Sequence, residues 1–144
     1  EFIKKGIEST VIHARMEIIS RSPVIMLDGG HNPECAAALE NVLVRFAGDK
    51  SITVLIGMMA DKDTKDYLAA ILPHCKTAVF TKPSNPRAED ENVLLREGEC
   101  FCRDVVSVKA RKTLTKRQGA LVKKRRYAAC VRFVYLLSDI FGEP

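Results

Sequence analysis

Apolar residues along this chain follow two alternating rhythms. The stretches Pro23 to Leu27, Ser51 to Gly57 and Thr77 to Thr81 are short and mostly apolar throughout. Such runs suit strands buried on both faces of a parallel sheet. Between them, apolar positions recur at three- and four-residue steps, as in Ala36, Leu39, Leu43 and Phe46, which is the spacing of one helix face.

Reading these rhythms in order predicts the elements. Arg15 to Ser20 has strand composition, Arg21-Ser22-Pro23 makes a turn, and Pro23 to Leu27 is a buried strand. Asp28-Gly29-Gly30-His31-Asn32-Pro33 then supplies a tight turn, with Asn32 as N-cap and Pro33 at the first helical position. A helix from Pro33 to about Phe46, stopped by Gly48, completes the first unit. A second strand at Ser51 to Gly57, a loop at Met58 to Asp63 and a helix from Thr64 to Leu72, ended by Pro73, repeat the pattern. Thr77 to Thr81 is a third strand, Ala88 to Glu97 a short helix and Asp104 to Val108 a fourth strand. Tyr127 to Leu137 is a last strand, running into Ser138 to Pro144.

Strand, turn and helix in alternation predict an α/β fold, Rossmann-like, with a mostly parallel sheet and helices on both faces. Ligands in such folds bind beyond the carboxyl ends of the strands. Asp28 to Asn32, Met58 to Asp63 and Lys82 to Arg87 therefore share the expected functional edge.

Composition narrows the class. The 144 residues are 47% hydrophobic and 28% charged, as expected of one globular domain. No apolar run approaches the roughly 20 residues needed to span a bilayer, so no membrane role is expected. The N-terminus has neither an initiator Met nor the order of regions of a signal peptide, which leads us to expect an internal start in a longer chain. Five cysteines, Cys35, Cys75, Cys100, Cys102 and Cys130, form no CxxC pair or zinc spacing and read as reduced thiols of a cytoplasmic protein.

The formal charge of +5 is local rather than general. Residues 103–126 hold 10 of the 23 Lys and Arg residues and one acid, leaving 13 basic against 17 acidic residues elsewhere, a net of −4. Within it, Lys109 to Arg126 lacks interleaved aromatics and any nucleic-acid motif, so it reads as a solvated arm and nucleic acid is not an expected partner.

On local chemistry, a strand ending in Asp28-Gly29-Gly30-His31-Asn32-Pro33 and opening a helix is a candidate anion or nucleotide site. Free backbone N–H groups and the positive helix end favour negative charge there. A capped turn with a surface histidine is the plainer alternative.

The residues also carry a resemblance. Ala14-Arg15-Met16-Glu17, followed by Leu27 to Pro33, resembles the glycine-arginine and aspartate-glycine-alanine-histidine-asparagine-proline signature of folylpolyglutamate and dihydrofolate synthases, members of the Mur ligase superfamily. Gly57 to Asp63, Pro83 to Ala88 and Tyr135 to Ile140 are similar in family order and spacing. The resemblance implies a Mur ligase C-terminal domain, residues 1–144, with 1–14 as the linker from a central ATPase domain. It implies an ATP-dependent ligase that adds L-glutamate to folate, with ATP and magnesium required by the intact enzyme. The reaction would run through a folate acyl phosphate attacked by the glutamate amine.

By the same resemblance Arg15 and Asp28 bind ATP, Arg15 at the phosphates and Asp28 near the ribose. His31 is catalytic and, with Asn32, binds substrate, while Gly29, Gly30, Lys62, Asp63 and Arg87 support the edge. No metal ligand is assigned. The chain has no GxxxxGK[ST] loop, so alone it is expected to be inactive. The alternative is a non-catalytic Rossmann-like module that binds an anion or a partner.

Two departures from the family stand out. Ala14 replaces the glycine before the arginine. At Cys130-Val131-Arg132-Phe133-Val134 the family has a strand ending in valine-cysteine-glycine-serine. Codons for those five residues, read one nucleotide later, can encode Val-Cys-Gly-Ser. A shifted frame and ordinary divergence are both open as the origin of the basic segment.

Overall fold

The computed structural model describes residues 1–10, 12–21, 24–47, 52–108 and 128–132, the last five by backbone alone. The order is α1 (Phe2–Ser9), β1 (Glu17–Arg21), β2 (Val24–Leu27), α2 (Pro33–Ala47), β3 (Ile52–Ile56), α3 (Thr64–Ile71), a 3-10 turn (Leu72–His74), β4 (Thr77–Thr81), α4 (Glu91–Gly98), β5 (Asp104–Val108) and β6 (Ala128–Arg132). The fold is α/β. One sheet runs β1-β2-β6-β3-β4-β5, with β2, β6, β3, β4 and β5 parallel and β1 antiparallel at the edge.

Parallel neighbours require crossover connections, and these are right-handed. The steps β2 to β3, β3 to β4 and β4 to β5 all move the same way across the sheet, so their helices lie on one face. There α2 packs on α3 and α3 on α4. The return from β5 to β6 runs through residues 109–127. The expected basic arm lies outside the described residues, as do the Gly48 stop, the Ser22-Pro23 turn and the segment from 133 to 144.

Burial follows this arrangement. Leu39, Leu68, Ile71, Leu72 and Leu94 from the helices meet Val54, Ile56 and Phe80 from the central strands, all of them almost completely buried. Each such side chain contributes about 1.5–3 kcal/mol over leaving it in water. All five residues of β4 are buried, as an apolar run between two strands and under a helix should be.

The N-terminal strands differ from expectation. The run at Val24 to Leu27 is not buried on both faces: Val24 is exposed, Ile25 and Met26 are half-buried and only Leu27 is covered. The reason is position, since β2 lies next to the edge while the described helices step away from it towards β5. Residues 2–9, expected within a linker, form a helix whose Phe2, Ile3 and Ile7 are exposed. Helix α4 begins at Glu91 rather than Ala88, because Asp90 caps it and Ala88 is taken by a β-bridge to Met59.

Candidate functional site

The antiparallel pairing of β1 with β2 sets Glu17 opposite Leu27, so the residues entering β1 stand beside those leaving β2. Residues 14–16 and 28–32 therefore meet at the carboxyl edge of the parallel strands. Two backbone-directed bonds join them: Gly29 N donates to Ala14 O at 2.7 Å, and Met16 N donates to Asp28 Oδ2 at 3.1 Å. Asp28 Oδ1 also accepts from Gly30 N at 2.7 Å, and the residue is only 4% exposed.

Ala14 and Met16 both adopt positive φ, 54° and 48°. Left-handed backbone costs an ordinary L-residue about 1–2 kcal/mol and persists where surrounding contacts hold it. The family glycine would occupy this conformation freely, so the departure at Ala14 is tolerated at the cost of strain. Arg15, between the two, is exposed. Glu17 does not pair with it: its Oε2 accepts from Ala14 N at 2.9 Å and its Oε1 lies 3.1 Å from His13 Nδ1. These contacts, the Ala14 N–H first and His13 second, hold the Glu17 carboxyl below the ordinary glutamate value.

Beyond Asp28 the corner turns outward. Gly30 is demanded by packing, since a Cβ there would lie 2.5 Å from Cys35 Cβ and 2.8 Å from Asp28 Oδ1. His31 is exposed, with Nδ1 3.4 Å from Gly29 O, which is long for a hydrogen bond and leaves Nε2 open to solvent. Asn32 caps α2, its Oδ1 accepting from Cys35 N at 2.8 Å, as the sequence predicts. The corner thus divides its side chains, with the acid facing inward and the imidazole outward.

The loops after β3 and β4 form a second part of the edge. Ala60 N donates to Arg87 O at 2.9 Å and Glu89 N to Met58 O at 2.8 Å. Arg87 Nη2 donates to Asp61 Oδ2 at 2.8 Å, and Lys62 Nζ lies 3.7 Å from the same oxygen. Asp63 caps α3 by accepting from Asp66 N at 3.3 Å. Lys62 and Arg87 are thus brought together by Asp61, while Asp63 has a local task. Strand β6 runs between the two parts, with Arg132 in register with Ile56.

A family model described as Mur ligase, glutamate ligase domain, matches residues 14–128, well over half of the chain. The chain belongs to this family. A probable bifunctional folylpolyglutamate synthase/dihydropteroate synthase of Halobacterium salinarum is 37% identical over 92 residues, which are 64% of this chain and 11% of that protein. The dihydrofolate synthase/folylpolyglutamate synthase of Mycobacterium tuberculosis is 30% identical over 105 residues, 72% of this chain and 22% of the relative. The chain thus spans between a tenth and a quarter of the length of these relatives. In structure, it is similar to a folylpolyglutamate synthase of Mycobacterium tuberculosis complexed with ADP and AMPPCP, with TM-score 0.82 at 21% identity, over 99% of this chain and 35% of that one.

The Mur ligase fold makes sense of the edge. Arg15, the Asp28 corner and the Asp61–Arg87 latch come from four separate segments that β1, β2, β3 and β4 bring to one side of the sheet. Asp61 and Glu17 are the members that sequence reasoning missed. No local signal marks Glu17 for its bond to the Ala14 N–H, because that bond depends on the left-handed backbone at Ala14. Among the described residues no cluster of three or more His, Cys, Asp or Glu could hold a metal, and no helix is long and apolar enough to cross a membrane.

Proposed function

We propose that this chain is the C-terminal domain of an ATP-dependent folylpolyglutamate synthase, a cytoplasmic enzyme that joins L-glutamate to folate. The observation that carries the reading is Arg15, exposed on the carboxyl edge of a glutamate ligase family domain and held beside the Asp28 to Asn32 corner. An always-charged, bidentate donor at that place suits phosphoryl oxygens. The residues fit a nucleotide's phosphates but offer no cage for magnesium, which would be held by the phosphates and by the central domain of the same polypeptide.

Each residue then has a defined task. Arg15 neutralises charge on the phosphoryl group as it passes to the folate carboxylate, with ADP leaving. His31, with Nε2 open to solvent, receives the carboxylates of the incoming glutamate or steadies the acyl phosphate as the amine displaces phosphate from it. The Asn32 cap fixes the first turn of α2 beneath His31. Lys62 and Arg87 add positive charge further along the edge.

The test is ATP-dependent incorporation of labelled glutamate into a folate by the full-length polypeptide. Arg15→Ala and His31→Ala should each lower turnover at least about a hundredfold, the scale of losing one transition-state donor, with melting temperature unchanged. The 144-residue chain alone should show no turnover. Full activity in both variants would instead favour a non-catalytic module.

A further inference from the structure

Helix α1 carries an apolar face that no described residue covers. Phe2, Ile3 and Ile7 are 92%, 81% and 71% exposed, and Ile12 beyond the helix is 64% exposed. On a helical repeat Phe2, Ile3, Gly6 and Ile7 share one side, away from Lys4 and Lys5. An eight-residue helix does not persist in water by itself, since isolated helices below about 12–15 residues are marginal and take their stability from packing. From within, α1 has no side-chain bond at its N-cap. It has an exposed ion pair from Lys5 Nζ to Glu1 Oε1 at 3.4 Å, and a bond from Thr10 Oγ1 to Gly6 O at 2.7 Å.

We propose that α1 is the closing helix of the preceding part of the same polypeptide, with Phe2, Ile3 and Ile7 seated in an apolar groove there. The domain described above then begins beyond Thr10. The inference rests on the reading of this chain as one domain of a longer synthase. Two observations name the occupant. The family match starts at residue 14, five residues after α1 ends, so the glutamate ligase domain does not include the helix. The similar Mycobacterium tuberculosis folylpolyglutamate synthase matches 99% of this chain but 35% of its own, so most of that fold lies outside the matched part. Gly6 suits a close neighbour, because a Cβ there would meet nothing within 4 Å and its absence lets a partner approach the helix between Phe2 and Ile3.

Other occupants fit less well. A stable interface between two copies takes about 20–30 residues a side, whereas a covalently joined partner sits at high effective concentration and needs only a small face. A membrane surface attracts amphipathic helices through net positive charge, but residues 1–8 hold two lysines and two glutamates.

The experiment is amide hydrogen exchange over residues 2–9, in the full-length polypeptide and in the 144-residue chain. Exchange should be at least about a hundredfold slower in the full-length polypeptide, the scale of covering two or three apolar side chains. Equally fast exchange in both overturns the proposal. Protection in the 144-residue chain that grows with its concentration overturns it in favour of a second copy. Protection of the full-length polypeptide only on vesicles of anionic phospholipid overturns it in favour of a membrane. Ile3→Ala combined with Ile7→Ala should speed exchange at 2–9 at least about tenfold in the full-length polypeptide and leave the 144-residue chain unchanged; no change in either overturns the proposal. Should that double variant not fold, the wild-type comparison decides by itself. Glutamate ligation measured on the same material separates the two readings: a protected α1 without ligation removes the ligase and leaves the docking, and ligation with an exposed α1 does the reverse.

Discussion

Arg87 Nη2 donates to Asp61 Oδ2 across 2.8 Å and so ties the loop after β4 to the loop after β3. The side chains are 68% and 50% exposed, and a pair in that setting contributes little to stability and is screened by salt. Partial burial raises the Asp61 carboxyl, but the Arg87 and Lys62 cations outweigh this and hold it below the ordinary aspartate value. The backbone bonds from Ala60 to Arg87 and from Glu89 to Met58 carry the mechanical link. Arg87→Ala should therefore leave the midpoint of a denaturant titration almost unchanged, with the small difference fading in high salt. A large fall in that midpoint would shift the link from backbone to side chains.

Gly30 is fixed by space rather than by backbone freedom. A methyl at this position meets Cys35 Cβ at 2.5 Å and Asp28 Oδ1 at 2.8 Å, the first fixed to the α2 backbone and the second held by its bond from Gly30 N. Gly30→Ala should destabilise by about 1–3 kcal/mol, as overpacking does. Cys35→Ala should not rescue it, because the nearest atom is the Cβ that alanine retains. Rescue by that second change, seen as a restored melting temperature, would place the conflict at the sulfur.

These contacts mark how far the sequence alone reaches. The bounds of β4 and β5 were legible, because each is a short apolar run between clear breaks, and so was the start of α2, because Asn32-Pro33 writes its own cap. Local signals of this kind act within a few residues. The positive φ at Ala14 and Met16 was not legible, since the carboxylate that holds Met16 lies twelve residues on. Nor was the inward aim of Asp28, which depends on β1 turning back along β2. The place of β6 between β2 and β3 was equally hidden, because parallel pairing brings together residues as distant as Met26 and Cys130.

Ala14 offers a direct measure of strain. At φ 54° an alanine pays about 1–2 kcal/mol that glycine does not, while glycine loses about 0.5–1 kcal/mol more on ordering. Ala14→Gly should consequently change stability by less than about 1 kcal/mol. Ala14→Val should be clearly worse, because a β-branched residue at positive φ and 2% exposure has neither backbone nor space. Equal melting temperatures for Gly and Val would contradict the left-handed conformation.

Glu17 links that loop to pH. Its carboxyl is held below the ordinary value of 4.5, first by the Ala14 N–H and then by His13, so the folded state binds the proton less readily than the unfolded chain. The contribution is complete above the ordinary glutamate value and disappears as pH falls through the lower folded value. Wild type should melt above Glu17→Gln at neutral pH, and the gap should close as the pH falls below the ordinary glutamate value of 4.5. A gap that widens in acid would reverse the sign and remove the bond from Ala14 as its cause.

Thr81, the last residue of β4, is fully buried, and its Oγ1 has no hydrogen-bond partner among the described residues. The strand ends are tight here, because a Cβ on Gly57 would lie 2.5 Å from Thr81 O. An unsatisfied buried hydroxyl costs about 1–3 kcal/mol, whereas valine fills the same shape without a polar atom. Thr81→Val should therefore stabilise the fold by about 1 kcal/mol, read as a raised midpoint in urea at unchanged slope. A valine variant less stable than wild type would show that the hydroxyl is bonded in solution, and would make this end of β4 part of the polar edge rather than of the core.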